Sequence, residues 1–128
     1  MTVRVVRLGT PRARGEGLRI GTVRRPPRGV PKSEFSSGNW YDVWYPNLAP
    51  SADLVKEAFD AAEAKAWAAF VRKYRAEMAG AQASRTLDLM AALSASADFS
   101  VGCYCEDEAR CHRSVLRELL AERGAKLG

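Results

Sequence analysis

A chain of 128 residues, 47% of them hydrophobic and 27% charged, has room for one domain around one core and is too apolar to be intrinsically disordered. No run approaches the roughly 18 consecutive apolar residues of a membrane span, and residues 2–8 are too short and too interrupted by Arg for a signal peptide, so a cytoplasmic location is expected. The net charge of +5 is uneven: residues 1–32 hold nine basic residues against the single acid Glu16, and the rest of the chain is net acidic.

Val3, Val5 and Leu8, interleaved with Arg4 and Arg7, predict a first strand ended by the turn formers Gly9, Thr10 and Pro11. After a basic loop, Leu18, Ile20 and Thr22 alternate with Arg19, Gly21 and Val23 and predict a second strand. Pro26, Pro27, Gly29 and Pro31 then impose an irregular segment, because proline removes a ladder donor and restricts the residue before it. Residues 35–48 mix aromatics with turn formers and read as a packed loop with a short strand at 40–45. Ser51 is placed to cap a short helix running to about Phe59, with Asp53 in its first turn. A second helix is expected from about Ala62 on the stripe Trp67, Phe70, Val71, Tyr74 and Met78, with Gly80 closing it. Ser84 is placed to cap a third, burying Leu87, Met90, Ala91 and Leu93. Phe99, Val101, Cys103 and Cys105 alternate as a last strand, and the acidic loop Glu106-Asp107-Glu108 leads into a final helix through Val115, Leu116, Leu119 and Leu120. Strands separated by helices predict an α/β layered fold, with a small central, largely parallel sheet flanked by helices in one domain over 1–128.

The segment from Cys103 to Ser114 is the most specific in the chain. Its expected setting is strand, tight loop and helix, which is where ligands of open α/β sheets settle. Cys111 and His112 are the candidate catalytic pair, with the Cys111 thiolate favoured by the helix dipole and by neighbouring cations. Arg110, Arg113 and Ser114 are candidate anion donors at the helix start, joined by Arg24 and Arg28 where the second strand ends. On this reading Arg28 and Arg113 converge on one anion.

Each candidate has a structural alternative. Cys103 alternates with buried positions and reads as a small core hydrophobe. His112 lies three and four residues before Val115 and Leu116, hence on the inward side of the helix, where it would orient the loop. Arg113, about 100° further round, faces another direction and should tolerate truncation. Arg28 and its neighbours are equally suited to pairing with Glu106, Asp107 and Glu108. Trp40, Tyr41, Trp44 and Tyr45 suit core packing more than base stacking.

Three cysteines confined to 103–111 are not the dispersed, even-numbered set of a secreted framework, so reduced thiols are expected. No metal and no cofactor is expected. The C-x-C-x5-C-H spacing departs from the paired knuckles of structural zinc sites, and neighbouring ligands on one helix diverge by about 100°. The Glu-Asp-Glu loop likewise disfavours a phosphatase or sulfurtransferase cradle, since it repels anions.

Cys103-x7-Cys111-His112-Arg113-Ser114-Val115-Leu116 resembles the "C-x-E-…-C-H-R" signature of the domain of unknown function 488 family. Pro27-Arg28-Gly29-Val30, the run from Trp44 to Ala49-Pro50-Ser51, and Trp67-x2-Phe70-x3-Tyr74-x2-Glu77-Met78 add to the likeness, which spans residues 18–122. The resemblance implies an α/β fold and no established activity. Two positions depart from it: Cys105 stands where many members carry an acid, and Val23 where related sequences often have Asp.

Three functions follow as expectations. The first is a site for a phosphorylated or nucleotide-like anion built on Cys111, His112 and the arginines. The second is a nucleic-acid-associated module driven by the basic N-terminal third. The third is a non-catalytic structural or partner-binding domain. Oligomeric state is not encoded in any feature of the sequence, and no membrane partner is expected.

Overall fold

The computed structural model describes residues 1–60 and 63–128. Its frame is a four-stranded, all-parallel sheet of β1 (Val3–Arg7), β2 (Leu18–Gly21), β3 (Val43–Trp44) and β4 (Phe99–Cys103), in the spatial order β1-β4-β2-β3. The helices are α1 (Ala52–Asp60), α2 (Ala64–Met78), α3 (Ala81–Leu93) and α4 (His112–Glu122). This is the α/β layered fold expected. The last strand enters the middle of the sheet, so every residue of β4 is buried. Continuous burial of this kind is typical of a parallel strand covered on both faces.

One face of the sheet carries Val3, Val5, Ile20, Phe99 and Val101 and packs on Phe70 and Tyr74 of α2, Leu87 of α3 and Val115, Leu116, Leu119 and Leu120 of α4. α2 and α4 bury the stripes their spacing predicts, and burial of such stripes is worth roughly 25 cal/mol per Å² of apolar surface. The other face is covered by loops. Arg19 of β2 and Ser100 of β4 sit side by side in register there, and both bond Glu16 in the loop between β1 and β2.

Several local expectations are corrected. Ser51 does cap α1, its hydroxyl accepting from the Leu54 N–H at 3.4 Å, but Ser84 lies inside α3, which restarts at once after Gly80. The buried stripe of α3 is Ala83, Leu87, Met90 and Ala91; Leu93 falls off that stripe and is exposed. β4 stops at Cys103, leaving Cys105 in the loop. The expected start of the second helix at Ala62 lies outside the described residues. No helix among the described residues is long and apolar enough to cross a membrane.

Candidate functional site

Because all four strands run the same way, their carboxyl ends share one edge of the sheet, the place where open α/β sheets bind ligands. A cleft of about 880 Å³ opens there. Its walls come from the turn after β1 (Arg7 to Thr10), the segment after β2 (Val23 to Arg28), the end of β4 and the start of α4. Two glycines let these parts approach. A Cβ on Gly9, whose φ is +87°, would lie 2.8 Å from the Trp40 ring, and one on Gly102 would lie 2.7 Å from Leu8 Cδ2.

The floor of the cleft is a sulfur and imidazole cluster. Cys103 ends β4 and Cys111 is the N-cap of α4, with His112 as the first helical residue. Cys111 is extended (φ −127°, ψ 150°), so it does not follow the helical rotation and its sulfur comes to 3.9 Å from His112 Nδ1. The ligating atoms of Cys103, Cys111 and His112 all lie within 4.8 Å of one another, and all three residues are buried. Cys105 Sγ is 3.7 Å from Cys103 Sγ.

The far side of the imidazole is tied down. His112 Nε2 is 2.8 Å from the Thr22 carbonyl oxygen, and since a carbonyl only accepts, Nε2 carries the proton. That leaves Nδ1 facing the Cys111 sulfur. The ring is wedged edge-on against Tyr74, whose hydroxyl donates to the Leu48 carbonyl. The thiols are not equivalent. Contacts from Cys103 and Cys105 pull the Cys111 thiol down, with His112 adding to the effect against the cost of burial. Cys103 is pushed up, chiefly by its contact with Cys105 and then by Cys111 and burial. Cys105 is lowered by Cys103 but raised more by Cys111 and burial, reaching about 11.

The profile of a family described as the "Active DUF488-N3 subclade" matches residues 3–124. The chain belongs to the DUF488 family. No curated protein and no solved structure matches it. The likeness seen from residue 18 to 122 thus extends over almost the whole chain, and both the cleft and its Cys-His floor lie within the DUF488 match.

The residues expected at the site of this DUF488 protein divide into two groups. Arg24, Arg28, Arg110, Cys111 and His112 line the one cleft. Arg24 is fixed to the Pro50 and Ala49 carbonyls, at 3.0 and 3.1 Å. Arg28 is exposed on the rim, as is Arg110, which lies 5.8 Å from the Trp67 ring centroid. Arg113 and Ser114 do not line the cleft. Arg113 is buried, not exposed as expected from its helical angle, and donates to the Cys105 carbonyl at 2.6 Å. Ser114 turns back to the Cys111 carbonyl. Arg28 and Arg113 therefore do not line the same cleft.

The acidic loop also behaves differently from expectation. Glu108 pairs with Arg117 at 2.9 Å, and Asp107 accepts from the Ala109 N–H. Neither Arg24 nor Arg28 pairs with these acids among the described residues. The spacing Cys111-x5-Arg117 is that of a phosphatase loop, yet residues 112–117 are helical and Arg117 is engaged with Glu108, so no phosphate cradle forms.

Sequence reasoning missed three contributors to the cleft: Arg7, Trp40 paired edge-on with Tyr104, and the Thr22 carbonyl behind His112. The first two occupy ordinary strand and loop positions, and a backbone carbonyl leaves no trace in a sequence.

Proposed function

We propose that the cleft binds a small phosphorylated or nucleotide-like anion, with Cys111 and His112 as the reactive end of the site. The observation that carries this reading is the lining itself. Arg7, Arg24, Arg25, Arg28 and Arg110 all face the cleft, and no carboxylate lines it among the described residues. A concave site ringed by guanidinium groups favours a phosphate or carboxylate, which takes a planar fork better than a point charge. Its volume lies in the range of small-molecule sites, roughly 300–1,000 Å³. Trp40 and Tyr104 supply an aromatic wall for the non-anionic part of the ligand. Cys111 and His112 lie at the base of the same space, and the matched family's description as an active subclade supports giving them a chemical part.

Calorimetric titration with ADP, AMP and pyrophosphate tests the reading. At least one should bind, and Arg28→Ala with Arg110→Ala should weaken it by about tenfold or more, because both rim cations are lost. No heat and no thermal shift with any of the three at millimolar concentration would refute it.

A further inference from the structure

We propose that Cys103, Cys111 and His112 form a zinc site with three protein ligands, whose fourth position opens toward the cleft beside Cys105. The ligating atoms already stand within 4.8 Å of one another with no disulfide between the thiols. Two thiolates on one tetrahedral ion at Zn–S distances near 2.3 Å would sit about 3.8 Å apart. The one close pair among the three ligands, Cys111 Sγ to His112 Nδ1 at 3.9 Å, is on that scale.

The histidine carries the second, independent mark. A zinc-bound imidazole characteristically donates its other N–H to a carbonyl or carboxylate, which fixes the ring and its tautomer. His112 donates Nε2–H to the Thr22 carbonyl at 2.8 Å, so the lone pair of Nδ1 points at the cysteines. Adjacent ligands diverge only when both are helical, and Cys111 is extended at the N-cap while His112 is the first helical residue.

Charge favours the same assignment. Cys103, Cys111 and His112 are 7%, 2% and 6% exposed. A buried thiolate is costly alone, whereas two thiolates, one neutral imidazole and one Zn²⁺ sum to zero. The arginines repel a free cation on approach, but once it is neutralised they remain available to an anion. Three protein ligands with one open position is the arrangement of catalytic zinc, including a Cys2His set. The inference deepens the ligand reading above and depends on it only for what occupies the fourth position.

The test is metal content of the full chain purified without chelator, followed by titration of the metal-free protein with Co²⁺. Near-stoichiometric zinc is expected, together with the thiolate-to-cobalt charge-transfer band and the intense visible bands of a tetrahedral site. Cys103→Ser and Cys111→Ser, checked for folding by circular dichroism, should each weaken metal binding by more than about 100-fold, since ligand loss exceeds the effect of an outer-shell change. Cys105→Ser should retain the ion. Absence of zinc together with a featureless cobalt titration of the wild-type chain overturns the proposal, and so does full metal retention in Cys111→Ser. Loss of metal in Cys105→Ser overturns the open fourth position. Because metal is measured without nucleotide and nucleotide binding by calorimetry, either reading can fail while the other stands.

Discussion

Arg19→Met should be among the most damaging single substitutions outside the cleft. Arg19 is 1% exposed and is enclosed by acceptors: Nε and Nη2 bond the two Glu16 oxygens at 2.7 and 2.9 Å, and Nη1 bonds the Thr10 and Asn39 carbonyls at 2.8 and 2.7 Å. Methionine fills much of the stem but supplies no donor. Glu16, 3% exposed, then keeps only the Ser100 hydroxyl and the Ala13 N–H, and two carbonyls lose a partner. Removing one member of a buried ion pair typically costs about 3–5 kcal/mol, against a total stability of about 5–15 kcal/mol. For a chain of this length that lowers the melting temperature by roughly 10–20 °C. The same substitution should loosen the cleft, because Thr10 and Asn39 flank Gly9 and Trp40. Sign and pH can be checked together by thermal melts. In the wild type, burial raises the Glu16 pKa, but Arg19, Ala13 and Ser100 together bring it below its ordinary value. Without Arg19 the burial effect is less opposed, so the Glu16 pKa rises and protonation relieves the variant. The gap between variant and wild type should therefore be widest near neutrality and narrow as pH falls below about 5. A melting temperature within about 3 °C of wild type at pH 7 would show that the pair is not the buried support described.

His112→Ala should cost about 1–3 kcal/mol in a urea melt, because it leaves the Thr22 carbonyl without its donor and a cavity beside Tyr74; an unchanged midpoint would place the imidazole at the surface. Arg113→Ala should also destabilise, by about 1–2 kcal/mol, since the Cys105 carbonyl loses its donor, whereas a surface arginine would tolerate the change. Acid titration should show stability nearly flat from neutrality to about pH 5 and falling below about pH 4: Glu16 and Asp42 both have folded pKa values lowered despite burial, so their stabilisation is present above the ordinary carboxylate value and lost as pH drops through the folded one. For Asp42 the groups that overcome burial are Arg12, the Arg19 backbone N–H and Ser36, and a midpoint unchanged between about pH 5 and pH 3 would refute both assignments. If the basic N-terminal third serves nucleic acid instead, oligonucleotide binding should weaken steeply with salt, with a log–log slope set by the phosphates neutralised; no binding at about 50 mM salt removes that alternative.

What the sequence determined by itself is the part governed by short-range periodicity. The stripes of α2 and α4, the strand character of Val3–Arg7 and Phe99–Cys103, and the Ser51 cap each depend on residues within one or two turns of each other, so spacing alone reveals them. The crossover through α1, α2 and α3 made the parallel entry of β4 legible, as it did the strand–loop–helix setting of Cys103 to His112. β1, β2 and β3 are joined without an α-helix, and only the tertiary structure decided their parallel order. Only the tertiary structure decided which polar residues are buried. Arg19 and Arg4 look alike as polar residues interleaved in a strand, but the loop carrying Glu16 folds over Arg19 and leaves Arg4 partly open. Arg113 was misplaced because a helical angle gives direction and not what lies there, and what lies there is the Cys105 carbonyl. The thiol cluster was hidden for a related reason. Cys111 looked helical from its neighbours, and only its extended N-cap backbone turns the sulfur toward Cys103 and His112. A carbonyl 90 residues away completes the histidine's environment, and long-range backbone partners of this kind exist only once the chain has folded.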